Sequence, residues 1–371
     1  MINWEEIRDL FPVCRKFVYL NAAGGSPVSY PAAAEGKRFY DEMLNEGDTY
    51  WDRWLERTEE VRRTVAGCIN ADPSEIGFTT NTSTAMNYVA HMLHNLGEVL
   101  TMEDEFPSTT YPWLNRGKKL HFVKSLNTGY PVNQIRQFIN NDIKILLSSH
   151  VQYRTGYRQN LENLGELCVS ENMVNVVNAT QSMGIFNIDV KKHHIDFLVF
   201  TGLKWATAGY GIAGIYISSK YLEKTKLPLA GWRSVKEPEQ MNNADLVVRK
   251  ETSAIESGCP HFPNIFALGG ALRMFNRIGK QEVENRVLYL NRYLEARLTA
   301  TGMPVIKPIA EENRSGILIV KTNYAREIVD SLARKNIIIS ARGEGLRISV
   351  NIFNNENDID RLAEELKEEN F

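Results

Sequence analysis

Apolar residues fall along this chain in short, near-continuous runs separated by stretches with helical spacing. The run IKILLSSHV (143–151) has the texture of a strand buried on both faces. GEVLTMED (97–104), KKLHFVK (118–124), MVNVVNA (173–179), IDFLVFTG (195–202) and AGIYIS (213–218) follow the same pattern. Between them, NLENLGELCVSE (160–171) carries leucines at helical spacing. Alternation of this kind predicts a mostly parallel sheet covered by helices. In such sheets ligands bind beyond the carboxyl ends of the strands. That rule singles out Glu103 to Pro107, Ser149 to Tyr153, Asn178 to Gln181, and Thr201 to Lys204.

The texture changes after about residue 265. FALGGALRMFNRIGKQEVENRVLYLNRYLEARLTA predicts long amphipathic helices. SGILIV (315–320), the helix YAREIVDSLARKN, then NIIISA and LRISV, and a last acidic helix complete a smaller α+β unit. No repeat at a fixed period and no low-complexity stretch occurs.

Composition narrows the possibilities. A chain of 371 residues allows two to three domains and a sizeable core. Forty-three basic against 45 acidic residues leave a net charge of -2, which argues against a nucleic-acid or polybasic membrane footprint. No run reaches the roughly eighteen apolar residues a membrane span needs. The start, MINWEEIRDLFP, has no apolar run, so no secretory signal is read there. Cys14, Cys68, Cys168 and Cys259 lie far apart with no CxxC pair. Neither a disulfide scaffold nor a zinc site is expected, and a cytoplasmic location fits.

Several segments carry candidate chemistry, each beside a plainer explanation. GYGIAG (209–214) matches a dinucleotide pattern, but it precedes a strand where that motif should open a helix. A turn allowing close backbone approach explains it better. Lys204, in TGLKWATAGYG, sits in apolar company at a strand end. Desolvation lowers a lysine pKa and makes the amine nucleophilic, although a snorkelling surface lysine would look the same. FTTNTSTAMNYVAHML (78–93) reads as a polar turn entering a helix, with Thr82, Ser83 or Thr84 as its cap. Its first-turn N–H groups would suit an anion. His91 and His94 on that helix lack a carboxylate partner and are not expected to bind metal. IESGCPHFPN (255–264) reads as a tight connector, and Arg342 and Arg347 flank a C-terminal strand. An arginine fork is the usual clamp for a carboxylate, and a surface salt bridge is the commoner use.

Taken in order, these segments resemble the class V aminotransferases, pyridoxal-phosphate enzymes that include cysteine desulfurases, kynureninases and isopenicillin N epimerase-like proteins. The resemblance runs from YLNAAGGSPVS (19–29) to LRISVNIFNNENDIDRL (346–362). It implies the aspartate-aminotransferase-type α/β fold. A mostly parallel seven-stranded sheet would lie in a large domain (15–265), with a small α+β domain formed by 1–14 and 266–371. It implies pyridoxal 5'-phosphate as cofactor, held by Lys204 as a Schiff base.

The other roles follow residue by residue. Thr82 and Ser83 would contact the phosphate, and Phe106 in EFPS would stack on the ring. Tyr153, or its neighbour Gln152, and Gln181 would approach the ring hydroxyl. Asn178 would face the ring nitrogen, and Thr201 would join the cofactor set at the end of the lysine's strand. Gly258 and Cys259 in SGCP would reach the phosphate from a second subunit, which implies a homodimer. Arg347, with Arg342 beside it, would receive the carboxylate of a small amino acid. The expected activity is a class V aminotransferase working through an external aldimine. A lyase or epimerase, or a catalytically weak relative, is the alternative.

Three positions depart from the family pattern: Asn178 replaces an aspartate, Leu203 a histidine or tyrosine, and Cys259 a threonine. A neutral amide at 178 predicts a weaker electron sink. ARGEGL, ahead of Arg347, is short and lacks the cysteine a desulfurase would carry there.

Overall fold

The computed structural model describes residues 2–222, 226–343 and 345–369. Seven strands form the central sheet, in the order Ile76–Thr79, Ala213–Ile217, Phe197–Thr201, Val174–Asn178, Ile143–Ser149, Glu98–Met102 and Leu120–Val123. Only Ala213–Ile217 runs against the others, because it pairs antiparallel with both neighbours. Six of these strands coincide, within a few residues, with the apolar runs. The seventh, Ile76–Thr79, has no counterpart among them, and its last two residues open the stretch 78–93 expected to be turn and helix. Four residues that include Gly77 and lead into TTNTST give too short an apolar signal to read.

Period-two alternation divides the core between the two faces of the sheet. Leu198 and Phe200 pack with Ile76, Phe78 and the helices Trp51–Ile69 and Phe262–Ile278. Phe197 and Val199 point the other way, onto Ala85, Met86 and Val89 of the helix Thr82–Met92. Both faces are covered, so the strands are mostly apolar. The helix expected at 160–171 spans Leu161–Ser170 and buries Leu164 and Leu167.

A second, four-stranded antiparallel sheet has the order Ser340–Arg342, Gly345–Ser349, Ile317–Lys321, Val305–Ile306. The helices Ala325–Arg334 and Glu356–Lys367 pack on it through Ile328, Leu332, Ile359 and Leu362. The N-terminal segment joins this part of the molecule. Arg8 grips Asp358 with two hydrogen bonds of 2.7 and 2.9 Å, and Val18–Tyr19 pairs in parallel with Ile337–Ile338. The loop that follows reaches the central sheet, where Ser26 N–H donates to the Leu203 carbonyl at 2.9 Å.

The GYGIAG segment is a turn. Gly209 and Gly211 have φ of +84° and +82°, and a Cβ on Gly211 would lie 2.3 Å from Asn264 Nδ2. The chain then enters the strand Ala213–Ile217, not a helix.

Candidate active site

The carboxyl ends of the central strands gather most of the residues singled out above. Lys204 follows the strand Phe197–Thr201 in a buried turn with Trp205 and Ala206. Its Nζ lies 5.7 Å from the centroid of the Phe106 ring. Burial is the main force on the amine, and the cations Arg347 and Arg342 add to it; together they bring its pKa down to about 7. Phe106 is itself 43 % exposed and meets Tyr153 edge-on with centroids 5.1 Å apart. An exposed aromatic beside a half-buried amine is a plate with no ring stacked on it among the described residues.

Arg347 sits on the strand Gly345–Ser349 and is 2 % exposed. Its Nε donates to Ser340 Oγ at 3.3 Å and its Nη1 to the Tyr153 carbonyl at 3.1 Å. No carboxylate pairs with it among the described residues, and burial followed by Arg342 pushes its pKa down to about 10. A buried guanidinium is costly unless an anion meets it, so this position suits a carboxylate. Arg342 is exposed, and its Nη1 donates to the carbonyl of Ala341 at 2.9 Å.

The helix Thr82–Met92 begins beside the same strand ends. Its cap is Asn81, not Thr82, Ser83 or Thr84: Asn81 is extended, and its Oδ1 accepts from Thr84 N–H at 2.9 Å. The cap one residue earlier releases the hydroxyls of Thr82 and Ser83. Thr82 Oγ1 lies 3.0 Å from Thr180 Oγ1, and Ser83 Oγ donates to Ser108 Oγ at 2.8 Å. First-turn N–H groups have no intrahelical acceptor, which leaves an anion-binding corner between two loops.

Asn178 ends its strand and is buried. Its Nδ2 donates to Thr109 Oγ1 at 2.8 Å, and its Oδ1 accepts from Thr180 N–H at 2.9 Å. Gln181 holds two neighbours at once: its Nε2 donates to the Ala23 carbonyl at 3.1 Å, and its Oε1 accepts from Trp205 Nε1 at 2.7 Å. The Thr201 hydroxyl donates to the Ile212 carbonyl at 3.3 Å and so binds the adjacent strand. Of the two residues expected near a ring hydroxyl, Tyr153 borders the plate, whereas Gln152 turns inward and donates to Glu105 at 2.9 Å.

Gly258 and Cys259 are not brought to Lys204 within one chain. They line a cavity of about 250 Å3 together with Thr80, Thr84, Glu256 and His261. Cys259 is exposed there, while Cys168 is buried, and Cys14 and Cys68 are half-buried elsewhere. One contributor was missed at the sequence level: Thr109, which accepts from Asn178, lies just beyond the stretch Glu103 to Pro107 that the strand-end rule singled out. Aligned with the plate, the amine, the anion corner and the buried arginine, these groups fit a flat phosphorylated aldehyde and an amino-acid carboxylate.

Comparisons with known proteins give the family. The family model for aminotransferase class-V matches residues 18–362, so the chain belongs to the class V aminotransferase family. It is an enzyme of that pyridoxal-phosphate-dependent type. Over 98 % of this chain and 97 % of the relative, it is 23 % identical to the uncharacterized aminotransferase YcbU of Bacillus subtilis. The apo cysteine desulfurase from Thermococcus onnurineus NA1 superposes with a TM-score of 0.90 at 22 % identity, covering 99 % of this chain and 98 % of that one. A C-DES variant with glycine covalently linked to its PLP cofactor matches with a TM-score of 0.88 at 20 % identity, covering 97 % and 98 %.

Proposed function

We propose that the protein is an aminotransferase acting on a small amino acid, with Lys204 carrying pyridoxal phosphate and Arg347 receiving the substrate carboxylate. One observation carries the reading. The amine of Lys204, with its pKa at about 7, faces the ring of Phe106, and the buried Arg347 guanidinium, without a carboxylate partner among the described residues, donates to the backbone of Tyr153, whose ring meets Phe106. When bound, the cofactor supplies an aldehyde that takes up an amine and a ring that draws electrons from it. Lys204 then does two jobs. Its neutral amine is available near neutral pH to bind the aldehyde, and, once displaced by the substrate amine, it can hold or move a proton at Nζ. Phe106 supports the ring face, and the corner at Thr82 and Ser83 receives the phosphate. Asn178 is assigned to the ring nitrogen, and Gln181 with Tyr153 to its hydroxyl side. Arg347 orients the substrate, its own direction fixed by Ser340 and the Tyr153 carbonyl.

Two further assignments support one another. Gly258 and Cys259 belong to the phosphate corner of a partner copy, since their own chain leaves them lining a cavity away from Lys204. The protein is accordingly read as a homodimer. A cytoplasmic location is read from cysteine usage, with Cys14, Cys68, Cys168 and Cys259 all free. A desulfurase reading is disfavoured because no cysteine precedes Arg347 in ARGEGL.

The test is a screen of amino acids against the cofactor-loaded protein, following its absorbance and assaying the products. An aminotransferase gives one keto acid per site and leaves the cofactor in its amine form. Release of a side-chain fragment with the cofactor unchanged would make the protein a lyase. Racemised amino acid would make it an epimerase.

A further inference from the structure

Strand pairing sorts the residues of the four-stranded sheet onto two faces. Ala341 pairs with Leu346, and Leu346 and Ile348 pack on Ile328 and Leu332 of the covering helix. The opposite face carries Arg347, which pairs with Ile319 on one side and Ser340 on the other. Ile317 and Ile319 of that face pack with Val151 and with Trp205, the neighbour of Lys204. Arg342 lies two residues beyond Ser340, hence on the same face, and on the edge strand, where solvent reaches it. The turn after Arg342 is close to the site as well. A Cβ on Gly343 would lie 2.9 Å from Arg154 Nε, and Arg154 follows Tyr153, whose carbonyl accepts from Arg347.

The cations gathered there are unevenly matched. Arg154 has Asp104 at 3.1 Å. Arg347 and Arg342 pair with no carboxylate among the described residues, and Arg342 Nη1 donates to the carbonyl of its own neighbour Ala341. Both charges are felt at Lys204 and help to lower its pKa. Arg347 gives Nε to Ser340 and one Nη1 hydrogen to Tyr153. Its Nη2 hydrogens and the second one on Nη1 are enough for a carboxylate fork. The α-carboxylate of an amino acid is therefore met by Arg347 without help, and the cofactor phosphate is assigned to Thr82 and Ser83. Arg342 is left over. An arginine kept for solubility gains nothing by standing on this face, where it repels Lys204 and Arg347. Two residues along a strand set attachment points roughly 6–7 Å apart, which suits a second acid held off the first by a short carbon chain.

We infer that Arg342 selects substrates with an acidic side chain: Arg347 takes the α-carboxylate, and Arg342 takes the second carboxylate of a four- or five-carbon dicarboxylic amino acid. The inference rests on the assignment of Arg347 to the substrate carboxylate and adds the class of side chain that the site prefers.

The test titrates the pyridoxal-phosphate-loaded protein with glutarate and with its monoamide. The two probes have the same carbon chain, differ by one charge and carry no reactive amine, and calorimetry reads both dissociation constants. Wild type should bind glutarate more tightly by about tenfold or more, the scale of one charge-assisted hydrogen bond. Arg342→Gln, a change at an exposed position, should bring the ratio close to one, whereas Arg347→Lys should weaken both probes. Equal constants in wild type, absence of glutarate binding, or a ratio preserved in Arg342→Gln would overturn the inference. Absorbance of the loaded protein gives a second reading, in which aspartate or glutamate should act at lower concentration than asparagine or glutamine. A response confined to neutral amino acids would overturn the inference and leave the functional assignment standing. Failure to take up the cofactor, or to respond to any amino acid, would count against that assignment, and the inference would fall with it.

Discussion

At the residue scale, the site concentrates positive charge and then withholds its compensation. Arg347 and Arg342 act on half-buried Lys204, Arg342 acts on buried Arg347, and both Lys204 and Arg347 are held below their ordinary pKa. The folded state therefore opposes protonation of Lys204. From this group, stability is lost as pH falls from the ordinary lysine range towards about 7, and no more is lost below that. Replacing the amine should remove the penalty. Apo Lys204→Met is expected to melt above apo wild type, with a gap that widens from alkaline pH down to about 7 and then stays level; a gap independent of pH would show that the amine is not desolvated. Arg347→Lys keeps the charge and loses the fork. It should raise KM for the amino acid roughly ten- to a hundredfold, the scale of the ~1.5–3 kcal/mol of a charged hydrogen bond, with cofactor affinity unchanged. A fall in cofactor affinity alone would transfer the carboxylate role to Arg342. Lys204 and Arg347 were legible because their segments kept order and spacing. The surroundings of Asn178 were not, since its partner Thr109 lies 69 positions away in the chain.

At the element scale, the parallel strands were legible because burial on both faces leaves continuous apolar runs, as in Val174–Asn178 and Phe197–Thr201. Ile76–Thr79 was not, and the same short stretch hid the shift of the helix cap to Asn81. A cap is a single hydrogen bond, so neighbouring Asn, Thr and Ser compete for it on nearly equal terms. The turn at Gly209 and Gly211 was legible as glycine spacing, and its tightness is a matter of space. Gly211→Ala adds a Cβ 2.3 Å from Asn264 Nδ2 at a positive φ, whereas the Gly209 Cβ would meet only Val28 Cγ2 at 3.2 Å. Gly211→Ala should cost about 1 kcal/mol or more and exceed the cost of Gly209→Ala. Urea unfolding midpoints at equal slope measure both. Equal midpoints would mean that Asn264 moves aside freely.

At the scale of the whole molecule, the chain completes some of its site and leaves one part open. Lys204, Phe106, Tyr153 and Arg347 come together within a single copy, while Gly258 and Cys259 line a cavity that includes Thr80 and Thr84 but not Lys204. Sedimentation of the loaded protein should therefore show a dimer, and Gly258→Trp, which has open space around its Cβ within the chain, should weaken cofactor binding. Normal binding by a monomer would remove the partner's role. The central claim is narrower than assembly and more directly tested. Borohydride reduction of the pyridoxal-phosphate-loaded protein, followed by peptide mass spectrometry, reads which side chain holds the cofactor. The account predicts a single reduced adduct on Lys204, lost in Lys204→Ala. An adduct on any other lysine, or none on a protein that has taken up the cofactor, would contradict it.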